Sequence, residues 1–179
     1  MTSDASDAAE RHFDERLYEQ VCFACGRQNS IGLHLTFAPV HESAADGSSR
    51  EGVEARYEPR PEDQGFPGVM HGGILVTLLD EAMAWAMFAH DNSLGVTAKM
   101  EVRYRRQVPP DAPLTVRGFV TRVRGHRIEV EATLFDSTGQ RLVESSGLFL
   151  RLPQAEADQL LADIGWAQIW AEGGPLRET

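Results

Sequence analysis

Lysine is almost missing from this 179-residue chain: Lys99 is the only one, and 17 basic residues against 27 acidic ones leave a formal net charge of −10. That balance excludes sequence-independent nucleic-acid binding, because neutralising phosphates requires a basic surface. An anionic ligand would have to find a local basic patch. Long apolar runs are lacking too. The longest, Ile74 to Ala89, is short for a bilayer and is interrupted by Asp80-Glu81, so no membrane association is expected. The opening MTSDASDAAERHFDERLYEQ has no apolar core and reads as neither a secretory signal nor a transit peptide; the expected location is the cytoplasm. Cysteine is limited to Cys22-Phe-Ala-Cys25. The pair has the form of half a zinc site, but no second pair exists, and His34 and His41 lie at spacings unlike a finger. A redox motif would need a strand before it and a helix after it, whereas Gly26, Asn29 and Gly32 follow. The two residues therefore read as reduced structural thiols in a turn, and neither a metal nor a cofactor is expected.

What is present is enough for one core. Hydrophobic residues make up 42% and charged residues 25% of the chain, which fits one globular domain with short additions at its ends. The expected division is an acidic extension over 1–20, loosely helical or flexible, a domain over 21–153, and an amphipathic extension over 154–179. Alternation predicts a strand at Leu33–Val40, a polar turn at Asp46-Gly-Ser-Ser, and a second strand around Val53–Tyr57. A Pro/Gly-rich loop over 59–70 leads to a long apolar helix starting at Gly72 or Gly73. Strands follow at Val96–Tyr104, Leu114–Val123, Ile128–Phe135 and Leu142–Leu152, joined by short turns that suggest a four-strand antiparallel meander. A helix apolar on every side must be enclosed, and a single antiparallel sheet is what the chain has to enclose it.

Two glycines at a helix start are costly for helix propensity, so a steric or electrostatic reason is sought. Without a Cβ at Gly72 or Gly73, a ligand carbonyl can approach the unpaired first N–H groups of the helix, giving an oxyanion-type site; the alternative is that the glycines only permit a sharp entry. Asp80 and Glu81 differ by about 100° around the axis, so at most one can face a given cleft. An unpaired carboxylate among their apolar neighbours would have a raised pKa and would suit a general base or nucleophile; solvent contact or an arginine partner is the other explanation. His71 can serve a ligand or the loop, and Gln64 offers amide donors. Lys99, Arg103 and Arg105 share a strand face, with Arg106 and Arg124 at the neighbouring turns; together they are candidates to hold ligand phosphates, or simply a solvated face.

Gln64-Gly-Phe-Pro-Gly-Val-Met-His-Gly-Gly with Leu78-Leu-Asp80, followed by Gly95-Val-Thr-Ala-Lys-Met-Glu-Val-Arg-Tyr, resembles the hotdog-fold thioesterases, in the branch of the phenylacetic-acid-pathway and mammalian thioesterase superfamily proteins. Cys22-Phe-Ala-Cys-Gly, Asn29 and Gly32-Leu-His-Leu are similar to the start of many members, so the likeness runs from about Cys22 to Leu152. The resemblance implies an α+β hotdog fold, a curved antiparallel sheet of five to six strands around one long central helix. It implies an acyl-CoA thioesterase in which Asp80 is the catalytic carboxylate, Gly72 and Gly73 polarise the thioester carbonyl, and Thr97 positions water or the carboxylate. His71 begins the helix motif, Gln64 is the nearest match to an assisting loop amide, and Glu81 is the reserve acid. Strict alternation places Thr97 on the Lys99 face, so its role requires that end of the strand to meet a neighbouring subunit's cleft. Active sites of the family form at a homodimer interface, with tetramers as a further step. A non-catalytic acyl-CoA or aromatic-ligand binding protein, and a hotdog hydratase or dehydratase, are the competing readings on this fold.

Overall fold

The computed structural model describes residues 11–43 and 49–178; the first ten residues and most of the Asp46 turn lie outside them. Its organising element is the helix Gly72–Asp91 (α1), whose buried residues include Leu75, Leu78, Leu79, Ala82, Met83, Trp85 and Met87. At 20 residues the whole helix is long and apolar enough to cross a membrane, by length and composition, which Ile74–Ala89 alone is not. Here protein covers it instead. The helix ends at Asn92, held in the left-handed region with φ 59°, a conformation that asparagine accepts more readily than most side chains.

Before α1 come β1 (Arg11–Phe13), β2 (Phe37–Ser43), β3 (Ser49–Tyr57), β4 (Gln64–Phe66) and β5 (Val69–Met70); after it come β6 (Gly95–Tyr104), β7 (Leu114–Arg124), β8 (Arg127–Phe135), β9 (Arg141–Arg151), α2 (Gln154–Asp163), α3 (Ala167–Ala171) and β10 (Leu176–Glu178). Six strands form one antiparallel sheet in the order β2-β3-β7-β8-β9-β6. The α+β arrangement expected from the resemblance is therefore present, with one difference. The last four strands are not a simple meander: β6 crosses to the far edge and pairs with β9, leaving β7 to pair with β3. That crossover lets the sheet pass over the helix rather than stop beside it.

Other departures have local causes. Leu33–Thr36 do not join β2, because His34 adopts φ 54° and the Leu33 and Leu35 amides donate to Phe23 O and Ala24 O, tying the segment to the cysteine turn. The loop over 59–70 carries the β4–β5 hairpin. The described part of 1–20 is neither helical nor loose: β1 is followed by a single 3₁₀ turn over Glu15–Tyr18, and Phe13, Leu17 and Tyr18 are fully buried. Apolar side chains that the acidic composition hides are the reason. β1 pairs with β10, so the two extensions meet. The C-terminal amphipathic stretch breaks at Gly165, φ 79°, into α2 and α3. It covers the end of α1, where the Trp170 indole donates to Asn92 O at 3.2 Å and Trp166 packs edge-on to Phe88.

Trp85 lies at the centre, stacked against Tyr18 (4.9 Å) and Phe37 (5.1 Å) and met edge-on by Phe13 (4.7 Å). Met83 and Met87 are also fully buried and belong to the same core. On the other side the helix backbone touches the sheet directly: a Cβ at Gly118 of β7 would stand 2.3 Å from the Ala82 carbonyl oxygen. Gly118→Ala should therefore push helix and sheet apart, at a cost of about 1–3 kcal/mol. Thermal denaturation should show the midpoint falling by about 3–10 °C; an unchanged midpoint would mean that the close approach is unimportant.

Candidate active site

The loop entering α1 is locked from beneath by a carboxylate that sequence reasoning passed over. Asp63 is buried and accepts from the Tyr57 hydroxyl, from Arg60 N at 2.7 Å and from the Arg60 guanidinium at 3.0 Å. Burial alone would raise its carboxyl, but the Arg60 and Tyr57 hydrogen bonds outweigh that and hold it below the ordinary value. Its backbone carbonyl accepts from His71 N at 2.8 Å, which fixes the residue before the helix. His71 is then the N-cap, with Nδ1 accepting from Gly73 N at 3.0 Å. The structure thus divides the two glycines. Gly73 spends its amide on His71, so the expectation that both polarise a carbonyl is corrected. Among the described residues the Gly72 N–H has no hydrogen-bond partner, while the Gly72 carbonyl accepts from the Tyr104 hydroxyl at 3.0 Å. Gly72 therefore supplies the open donor at the positive end of the helix dipole.

Two turns along the helix, Asp80 is half-buried and its Oδ1 accepts from Thr97 Oγ1 at 2.8 Å. Both residues belong to one chain, which corrects the placement of Thr97 by strict alternation. The β6–β9 register shifts between Thr97 and Lys99, so Ala98 is an extra residue in a bulge and Thr97 is turned towards the helix.

Glu81 points elsewhere. Its Oε1 accepts from the Trp85 indole at 2.9 Å, and its carboxylate lies beside both cysteines, with one ligand atom from each of Cys22, Cys25 and Glu81 within 4.8 Å of one another. Burial, then the nearby charge of Cys22, pushes its carboxyl up to about 7 against the hydrogen bonds from Cys25 and Trp85. The raised pKa sought for a carboxylate on this helix thus belongs to Glu81, which faces away from Thr97.

The remaining candidates are dispersed. Gln64 Oε1 accepts from Gly68 N at 2.7 Å and closes the β4–β5 turn. Arg105 and Arg106 border a cleft of about 450 Å³ that also touches Gly72, Tyr104, Phe66 and Leu75. Lys99 and Arg103 lie instead over the outer face of the sheet: Lys99 is 3.9 Å from Glu101, and Arg103 shares a groove with Glu101, Glu131 and Glu144. Arg105 also pairs with Glu144 at 2.6 Å. Arg124 is at the β7–β8 turn, at the Val96 end of the sheet, whereas Arg105 follows the Tyr104 end of β6. Nine strand steps separate those ends by roughly 30 Å. One chain therefore does not gather the five residues into a single phosphate site; Arg105 and Arg106 are the two that adjoin the helix start.

Residues 67–143, from the helix entry to the start of β9, match the family model of the thioesterase superfamily. A thioesterase superfamily protein of known crystal structure superimposes with a TM-score of 0.60 at 29% identity, covering 82% of this chain and 73% of that one. The fold is the hotdog fold, and over residues 67–143 the chain is similar in sequence to the thioesterase superfamily. Among curated proteins, the acyl-coenzyme A thioesterase THEM4 of Rattus norvegicus is 26% identical over 91 residues, which are 50% of this chain but only 38% of that protein's length. A hypothetical thioesterase from Streptococcus pneumoniae TIGR4, solved with coenzyme A, shares the fold with a TM-score of 0.55 at 19% identity, over 65% of this chain and 87% of that one. Mutants of that protein with alanine in place of one aspartate and of one threonine have also been solved.

Tyr104 and the Asp63–Arg60–Tyr57 group are site-supporting residues that local pattern did not reveal. The Tyr104 contact joins segments distant in the chain, whereas the Asp63 contacts are local but lie in an irregular loop with no periodic pattern to mark them. His71→Ala should cost about 1 kcal/mol of stability by freeing the Gly73 amide, and His71→Asn should restore most of it, since asparagine caps helices well. Chemical denaturation of the three proteins checks this; equal midpoints would remove the capping role.

Proposed function

We propose that this protein is an acyl-CoA thioesterase whose catalytic sites are completed by a second copy of the chain. The observation that carries the reading is the Asp80–Thr97 hydrogen bond: a half-buried carboxylate on an apolar core helix, oriented by a hydroxyl from the edge strand. The aspartate and threonine replaced in the streptococcal structures are the same two residue types, which supports it. So do the coenzyme A bound there and the acetyl CoA bound to a Streptococcus mutans protein of like fold.

In the proposed reaction the thioester oxygen accepts from the Gly72 N–H, which stabilises the negative charge that develops there. Asp80 takes a proton from water, the water oxygen bonds to the carbonyl carbon, the C–S bond breaks, and the proton passes to the departing thiolate. Carboxylic acid and free CoA thiol result. Direct attack by Asp80 would give a mixed anhydride that water then opens; isotopically labelled water under a single turnover separates the routes by whether label enters the Asp80 side chain.

A second copy is needed on geometric grounds. Gly72 and Asp80 are eight residues apart on one helix, about 12 Å along its axis. Two groups acting on one carbonyl must each come within about 3 Å of adjacent atoms. The free edge of β6 offers a solution. Its Tyr104 reaches Gly72 and its Thr97 reaches Asp80, and the midpoint between them falls between Met100 and Glu101. Antiparallel self-pairing of β6 about that point would set the Gly72 end of one chain beside the Asp80 of the other. It would also cover Val96 and Tyr104, which are 54% and 51% exposed.

Free-thiol release from short, medium, long and aromatic acyl-CoAs should show turnover, and Asp80→Asn should lower kcat by about 10²–10⁴-fold while ligand binding survives. Unchanged turnover in Asp80→Asn would sink the catalytic assignment; no turnover by the wild type on any acyl-CoA would favour a binding protein. Thr97→Val should lower kcat by about ten- to a hundred-fold at nearly constant KM. Gly72→Pro removes the proposed donor at a helix position that tolerates proline. Two inactive proteins, Gly72→Pro and Asp80→Asn, when unfolded and refolded together should recover about a quarter of wild-type activity, because half the dimers carry one intact site. No recovery from well-folded mixed dimers would place both groups in one chain.

A further inference from the structure

The Cys22-Phe-Ala-Cys25-Gly26 turn closes directly on the central helix. One ligand atom each from Cys22, Cys25 and Glu81 lie within 4.8 Å of one another. Two thiols and a carboxyl gathered this closely are an expensive group to bury unless something draws them together. The Gly26 N–H donates to the Cys22 carbonyl at 3.0 Å and closes the turn. The Gln20 amide lies 3.5 Å from the Cys25 sulfur as a donor. Gly26 is required for so tight a turn, because a Cβ there would stand 2.3 Å from Gln20 O and 2.5 Å from Cys22 N.

We propose that Cys22, Cys25 and Glu81 bind a thiophilic divalent cation of the zinc class, pinning the cysteine turn to the helix one residue beyond Asp80. Two thiolates and one carboxylate are a donor set suited to zinc, and three protein ligands leave a fourth tetrahedral position for water. Ligand atoms at about 2.0–2.3 Å from a tetrahedral zinc lie roughly 3.3–3.8 Å apart, so the three groups need to draw in by only about an ångström. Trp85 holds one oxygen of Glu81, which leaves the other for the ion and fixes the carboxylate's orientation. Cys22 is half-exposed and gives the ion a route in, whereas Cys25 is buried. On binding, any thiol protons of the cysteines and any carboxyl proton of Glu81 pass to solvent, and the sulfur and oxygen lone pairs form the metal bonds. The linear cysteine count suggested no metal because the third ligand lies on a distant helix. The site stands whether or not the protein hydrolyses thioesters.

The full chain, purified without chelators, should carry close to one zinc per chain by elemental mass spectrometry. After metal removal, added Co²⁺ should produce a thiolate-to-metal charge-transfer band, and added Zn²⁺ should raise the melting midpoint. Cys22→Ser and Cys25→Ser should abolish the band, and Glu81→Gln should weaken Co²⁺ binding by at least about tenfold. The wild-type measurements need no variant to fold. Wild-type protein with neither zinc nor a charge-transfer band would overturn the proposal, as would a well-folded Glu81→Gln that binds Co²⁺ like the wild type. Conversion of the wild type to a Cys22–Cys25 disulfide in air without metal uptake would overturn it as well.

Discussion

The structure depends on enclosing a helix that has almost no polar face. At Gly118 the sheet comes so close to Ala82 that no side chain fits between their backbones, while the opposite side is filled by the aromatic group around Trp85. Polar groups on the helix survive where this cover thins or where a buried partner meets them, as Trp85 meets Glu81. The cover thins at the entry, where Gly72 is open, and along the β6 edge, where Asp80 meets Thr97.

That constraint explains how two adjacent carboxylates coexist. A step of about 100° around the axis sends Asp80 to the sheet edge and Glu81 beneath the cysteine turn. The first is half-buried and held by a hydroxyl; the second is enclosed, raised in pKa and held by an indole. Neighbours in sequence have become members of separate local environments. The proposed catalytic and cation-binding roles follow this division rather than compete for one residue.

The central helix and the spans of most core strands were legible because periods of 3.6 and 2 are local properties of the chain. The His-Gly-Gly entry was legible because two glycines at a helix start contradict propensity. The bulge at Ala98 was not, since one extra residue in a strand leaves both flanking segments alternating normally, and it reversed the face assigned to Thr97. The place of β6 beside β9 was hidden for a different reason: pairing partners are set by packing between distant segments. The contact of Cys22 and Cys25 with Glu81, and that of Tyr104 with Gly72, are equally non-local. Composition misled at Phe13, Leu17 and Tyr18, whose burial is masked by acidic neighbours.

The small β1–β10 pair has a mechanical consequence. Arg11 faces Glu178, and His12 and Phe13 face Arg177 and Leu176 in turn. A force drawing Arg11 and Glu178 apart therefore acts at one end of the ladder and opens it rung by rung, like a zip, without shearing all its bonds together. The six-stranded sheet bears tension only after this three-residue latch has released.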